Sequence, residues 1–293
     1  MAQQPAPPTE TLSQFRVQQM RAWMGTIWWR GAMVLVPLLV GAVAVVALPD
    51  YNPVLVFVLA AVAAALAGAV GTYWLADRLA KASFTQSWSR SRGWTTGMGT
   101  WLDEATPLLR SGQRQGSKDH VCKTLGDGRR VALCHYTYEV MNQTTDSDGK
   151  PDTHWDKYEF TVIQTAVTDA GIARLGLYPS GVDVDAEVSS SRLVRLESSE
   201  LERDYRLEVA DSASDVTVRL LFEPTFIVWC VDRAADKMLV EVEDGTLIVA
   251  IPKHSYDAAQ LDGLVDKATA IATRFRDIAA ETPAAETPKE AKT

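Results

Sequence analysis

Cysteine is scarce in this chain. Cys122, Cys134 and Cys230 are the only three among 293 residues. An odd, sparse set cannot form a disulfide framework and agrees with a reducing compartment. Histidine is nearly as rare, with four residues. GxSxG, HExxH, P-loop and dinucleotide-binding patterns are all missing. No catalytic residue, cofactor-binding residue, metal ligand or cofactor is therefore assigned. Basic residues are outnumbered, 29 to 37, which gives a net charge of −8 and a pI near 5.1. That balance argues against nucleic acid as a partner.

Charge of either sign is missing altogether from two long apolar runs, Gly31 to Leu48 and Pro53 to Ala76. A helix needs about 20 predominantly apolar residues to cross a bilayer core. Only Pro49-Asp50-Tyr51-Asn52 separates the runs, so the sequence predicts an antiparallel transmembrane hairpin over 27–76, with helices at about 27–48 and 53–76. Trp28 and Trp29 at one end, and Tyr73 and Trp74 at the other, fit an interfacial aromatic belt; Tyr51 would mark the opposite interface. Arg16, Arg21 and Arg30 precede the hairpin, Arg78, Lys81, Arg90 and Arg92 follow it, and the link has no Lys or Arg. The positive-inside rule then places both termini in the cytoplasm of a multi-pass protein of the inner (plasma) membrane. Ala42-Val43-Ala44 could mimic a signal-peptide cleavage site, but the second apolar run and the matched positive flanks argue against one. Ala60, Ala64 and Gly68, with Ala61, Ala65 and Ala69, form small-residue faces that let helices approach closely. Pro37 can kink the first helix. An ion path normally needs an intramembrane charge, so the hairpin reads as an anchor, with the lipid bilayer as a partner.

Around the hairpin the chain divides into an N-terminal cytoplasmic segment (1–26), a juxtamembrane helical segment (77–115), a cytoplasmic α+β domain (116–280) and a tail (281–293) whose composition predicts disorder. A short amphipathic helix is expected from Thr11 to Trp23, and the second membrane helix should continue to about Arg90, before Gly93. Strands are expected at His120 to Leu125, Arg129 to Met141, Trp155 to Val167, Val188 to Leu196 and Tyr205 to Val209. The clearest hairpin joins Lys237–Glu243 to Thr246–Ile251 through Asp244-Gly245, a preferred two-residue turn. Leu261, Leu264, Val265, Ala268, Ile271, Ala272 and Phe275 recur at helical spacing. The fold class is thus a membrane-anchored α+β protein: a two-helix hairpin, then a mostly antiparallel sheet with C-terminal helices. Residues 211–222 are ambiguous. Val216, Val218, Leu220 and Phe222 alternate as in a strand, while Pro224 suits a helix start.

The segments RLESSELERDYRLEVAD, LLFEP and KMLVEVEDGTLIVAIP, within Gly171 to Ile251, carry a resemblance. The chain resembles a family of uncharacterised bacterial, notably actinobacterial, membrane proteins with two N-terminal transmembrane helices and a cytoplasmic α+β domain of unknown function. The resemblance implies that the segment before Pro224 is helical, against the alternation. It transfers no catalytic residue.

Several side-chain groups have the chemistry for a site. His120, Cys122, Cys134 and His135 are zinc-type ligands. A two-residue Asp127-Gly128 turn would pair His120 with His135 and Cys122 with Leu133, leaving Cys134 on the other face. Buried cysteines and strand-edge histidines are then the simpler expectation. Asp146, Asp148 and Asp152 resemble the start of a calcium loop, but the glycine comes too early and no glutamate lies in register. Glu197, Glu200, Glu202 and Asp204, interleaved with Arg195, Arg203 and Arg206, read as a solvated charged face. Ser198-Ser199 could cap a turn. His254 reads as a lone loop histidine at a helix start. The expected function is a non-enzymatic, membrane-anchored interaction or scaffolding protein with a protein partner or self-association. The alternative is a metal- or thiol-dependent enzyme or sensor on the same anchor.

Overall fold

The computed structural model describes residues 11–24, 27–48, 50–99, 101, 103–145, 151–168, 172–182, 184 and 191–281. The side chains of 23–33, including Trp28 and Trp29, lie outside the described set, as do Asp146 and Asp148. Two compact units emerge: residues 1–91 with 256–258, and residues 92–255 with 259–293.

The N-terminal unit contains three helices: α1 (Leu12–Met24), α2 (Ile27–Ala47) and α3 (Pro53–Ser91). Thr11 opens α1 with half of a capping box, its N–H donating to Gln14 Oε1 at 3.0 Å. Asn52 opens α3: its Oδ1 accepts from the N–H groups of Val54 and Leu55 at 3.0 and 3.3 Å, and Pro53 fills the first helical position. Among the described residues, α3 is the helix long and apolar enough to cross a membrane. The expected first span differs from its partner. Its helix includes Arg30, and its described apolar part, Val34–Ala47, is shorter. The two helices pack where Gly41 meets Phe57; a Cβ at Gly41 would lie 2.9 Å from the ring. Ala60, Ala61, Ala64, Ala65 and Gly68 are half-buried, while Leu66, Val70 and Trp74 are 63%, 67% and 70% exposed. At the other end of α3, Asp77 pairs with Arg16 and with Lys81, and Phe84 sits edge-on to Phe15 and Tyr256.

The second unit is built on an antiparallel sheet. Its elements are β1 (Thr95–Thr96), α4 (Pro107–Arg110), β2 (Arg114–Thr124), β3 (Arg130–Thr145), β4 (Pro151–Ala166), β5 (Arg174–Pro179), β6 (Ser191–Val194), α5 (Ser199–Asp204), β7 (Tyr205–Ala210), α6 (Asp215–Leu221), α7 (Pro224–Val231), β8 (Leu239–Glu243), β9 (Thr246–Pro252) and α8 (Ala258–Glu281). Among the described residues, nine strands run in the order β1-β2-β3-β4-β9-β8-β5-β7-β6. Alternation sends Ala132, Cys134, Tyr136, Phe160, Val162, Leu239, Ile248 and Ala250 into one core, with Trp101, Leu108 and Leu109. The alternate residues Leu133, Ile163 and Val249 are buried on the opposite face. The buried stripe of α8 runs from Leu261 to Ile278, and Arg129 ties the helix to the β2–β3 turn through Thr269 O and Thr273 Oγ1.

Two turns show how glycine sets register. Asp244-Gly245 makes a two-residue turn, with φ of 47° and 75°. The β2–β3 turn is longer than expected. Leu125 N–H donates to Arg129 O (2.8 Å), and Gly128, at φ 84°, closes a three-residue loop. Cys122 therefore pairs with Ala132 rather than Leu133. A bulge between Lys118 and Val121 shifts the register again, so His135 faces Lys118 rather than His120.

The ambiguous segment forms α6. Val218 and Phe222 are buried while Val216 and Leu220 are exposed, the four-residue spacing of a helix. The helix implied by the family resemblance is present, and the strand alternation is not. Strand β5 went unrecognised because Gly176 and Pro179 are breaker signals. Gly176 nonetheless has a reason. Its side is occupied by the Tyr178 ring, which an added Cβ would meet at 2.4 Å. Glu241 is its partner on β8. The Tyr178 hydroxyl donates to Glu241 Oε1 at 2.9 Å. The same carboxyl accepts from Leu108 N–H at 2.9 and 3.1 Å, and so caps α4 in place of Thr106, whose side chain makes no cap bond. Replacing Gly176 with alanine should displace the Tyr178 ring and lower stability by about 1–3 kcal/mol. Denaturant unfolding of the full chain in mild detergent measures this, and an unchanged midpoint would refute the packing argument.

Candidate functional site

The richest group of polar side chains lies where the chain leaves β9. Lys253 N–H donates to Glu159 O at 2.6 Å, which extends the ladder one step past Pro252. Thr161 then braces the corner from both sides: its hydroxyl donates to Lys253 O (2.9 Å) and accepts from Ser255 N–H (2.7 Å). His135, buried on β3, holds the same turn, with Nε2 2.9 Å from Ser255 O. Its Nδ1 lies 2.9 Å from the carboxylate of Asp119, the bulge residue held at φ 58°.

His254 is not the lone loop histidine expected from the sequence. Its ring lies 4.8 Å from that of His135, and its Nε2 is 3.1 Å from Tyr136 O. Burial, followed by the neighbouring His135, pushes its pKa down to about 4. Glu159 lies 3.8 Å from His254 Nδ1 and accepts from Lys157 Nζ at 2.6 Å. That lysine bond is the main cause of the lowered pKa of Glu159. The Ser255 hydroxyl donates to Gln260 Oε1 at 2.5 Å. The histidine pair fixes a corner of backbone.

Beside this corner lies a cavity of about 530 Å³, lined by Lys157, Tyr158, Glu159, Phe160, Gly181, Val182, Lys237, Pro252 and Lys253. Its position follows from topology. β4 outruns β9, whose last recorded pair is Phe160 with Pro252. Lys237 immediately precedes Met238 and β8, and Gly181 follows β5, so the lining comes from one end of four adjacent strands.

The four zinc-type residues do not meet as one group. Cys134 is fully buried in the core, and burial raises its thiol pKa. His135 points to the opposite face. Cys122 is half-buried, its Sγ 3.2 Å from Thr95 Oγ1. His120 contacts Ser117 Oγ at 2.9 Å and the Trp101 ring, and burial lowers its pKa. Asp152 pairs with Thr144 in the β3–β4 ribbon. Ser198 caps α5, its Oγ accepting from Leu201 N–H at 3.3 Å. The surrounding charges form ion pairs, Arg203 with Asp204, Arg206 with Glu208 and Arg219 with Glu197. Sequence reasoning missed Glu241, Asp119 and Glu159. None has a motif, because partners distant in sequence create their environments.

Two buried groups give opposite pH dependences. Glu241 has its pKa pushed up to about 7 by burial, against the hydrogen bonds it accepts. Its contribution to stability is full below the ordinary carboxylate value and is lost as pH rises through 7. His254, lowered from 6.5 to about 4, contributes stability that is present above pH 6.5 and lost as pH falls toward 4. Each effect is on the order of 3 kcal/mol over its window. Glu241→Gln should leave the histidine slope, with stability rising from pH 4.5 to 6.5. His254→Asn should leave the opposite slope. Denaturant midpoints across this range check both, and profiles that match the parent would refute the assignments.

No protein-family model matches the chain, and no curated protein matches it. Among solved structures it is similar to the crystal structure of the mycobacterial trehalose monomycolate transport factor A, TtfA, at 14% identity, covering 71% of this chain and 98% of that one, with a TM-score of 0.44. A likeness of that size identifies neither a family nor an activity.

Proposed function

We propose that the chain is a non-enzymatic, membrane-anchored interaction protein that holds an α+β unit at the cytoplasmic face of the plasma membrane. The observation that carries this reading is the exposure of α3 along its uncharged length, with Leu66, Val70 and Trp74 all more than 60% exposed. Water is a poor solvent for such a surface, and a bilayer is a good one. The packing of Gly41 on Phe57 supports α2 and α3 entering the bilayer as a pair, with α2 adding Arg30 to the positive flank. The short polar link at Asp50 to Asn52 would face outside, and the second unit would meet a protein partner or a second copy of the chain.

Two measurements test the anchor. The protein should stay in the membrane pellet after alkaline carbonate extraction. An Asp50→Cys variant should react with a membrane-impermeant maleimide in intact cells, with Cys122 reacting only after lysis. Release by carbonate, or labelling of Cys122 in intact cells, would refute the topology. For the interaction role, crosslinking in the native membrane should recover a partner or a dimer; recovery of neither would count against it.

A further inference from the structure

The cavity at the end of β9 carries a charge pattern that neither the fold nor the anchor requires. The protein is acidic overall, yet three of the nine lining residues are lysines, against one carboxylate. Lys157 is tied to Glu159. Lys237 and Lys253 have no ion-pair partner among the described residues and are exposed. Both sit in the left-handed region, at φ 49° and 73°, which non-glycine residues adopt uncommonly and at a cost. Lys253 is held there by the bonds from its N–H to Glu159 O and from Thr161 to its carbonyl. The same cavity has an apolar side of Tyr158, Phe160, Val182 and Pro252. Tyr158 is fixed by a stack on Tyr138, with centroids 4.8 Å apart. The volume lies within the range of small-molecule sites, about 300–1,000 Å³.

We propose that this cavity binds an organic phosphate: a phosphate monoester whose dianion sits between Lys237 and Lys253 and whose apolar body lies on Tyr158, Phe160 and Val182. Lysine is suited to phosphate as a point charge, and the two unpaired ammonium groups match a dianion. The apolar wall gives the ester an advantage over the free ion, because burial of each CH₂ favours binding by about 0.8 kcal/mol. The ester could be a soluble metabolite or the headgroup of a phosphatidate-type lipid.

Calorimetric titration of the full chain in nonionic detergent with hexyl phosphate tests the proposal. Stoichiometric binding is expected, at least tenfold tighter than for inorganic phosphate, with none for hexyltrimethylammonium. Lys237→Asn and Lys253→Asn should each weaken it at least threefold, and together at least tenfold. Asparagine tolerates positive φ, so the fold should survive, as an unchanged unfolding midpoint would show. Repeating the titration in phosphatidylcholine nanodiscs, with and without phosphatidic acid, separates the sources. Competition by the lipid assigns the headgroup, and undiminished binding assigns a soluble ester. Absence of saturable binding, equal affinity for inorganic phosphate, or full affinity in a folded double variant would overturn the proposal.

Discussion

One buried carboxyl organises the second unit. Glu241 lies wholly inside the sheet, and an isolated charge there would be prohibitive. The chain surrounds it with a Tyr178 hydroxyl from β5 and a Leu108 N–H from the start of α4. Each donor constrains its own element. Tyr178 reaches the carboxyl only because Gly176 leaves room for its ring. Leu108 reaches it only if α4 lies directly on the β8 face. The short helix that covers one core is therefore positioned by a strand more than a hundred residues away. Arg110 repeats the link one step along, pairing with Glu243 at 2.6 Å.

The polar corner at the end of β9 obeys the same rule with different groups. Asp119, His135, Thr161 and Ser255 satisfy one another across a bulge, two strands and a turn. Satisfied networks of this kind specify a single arrangement because a partial set leaves a costly orphan. The corner matters because it fixes the backbone of Lys253, which lines the cavity, before the chain continues to α8. Rigidity behind a site and charge in front of it are thus supplied by separate residues.

Much of this architecture was legible in the sequence, and the failures have physical causes. Long-period signals were read well for the second apolar run, the α8 stripe and the Asp244-Gly245 hairpin, each of which depends on many residues agreeing locally; the first run gave a helix whose described apolar part is shorter than expected. Register was misread by one residue because Gly126-Asp127-Gly128 can close either a two- or a three-residue loop, and pattern alone does not choose. β5 was missed because a central strand can tolerate Gly176 and Pro179 when tertiary contacts stabilise it. The α6 segment was ambiguous because its four apolar residues at alternate positions fit a strand, while every second one of them also fits the four-residue spacing of a helix. The corner was not legible at all. His135 and His254 are 119 positions apart, and only the sheet brings their rings together.

The unequal strand lengths have a further consequence. Among the described residues, β4 from Pro151 to Tyr158 has a neighbour on the β3 side, while on the β9 side the ladder ends where Lys253 bonds Glu159. That leaves a long free edge, the kind of backbone that recruits other chains into aggregates. The side chains there work against such pairing. Asp152, His154, Asp156 and Lys157 crowd the ribbon with charge and polarity, and the Arg114 guanidinium lies 3.8 Å over the half-exposed Trp155 ring. This stretch contributes little to holding the core together. Its charged composition is of the kind that opposes extension of one copy's sheet by another.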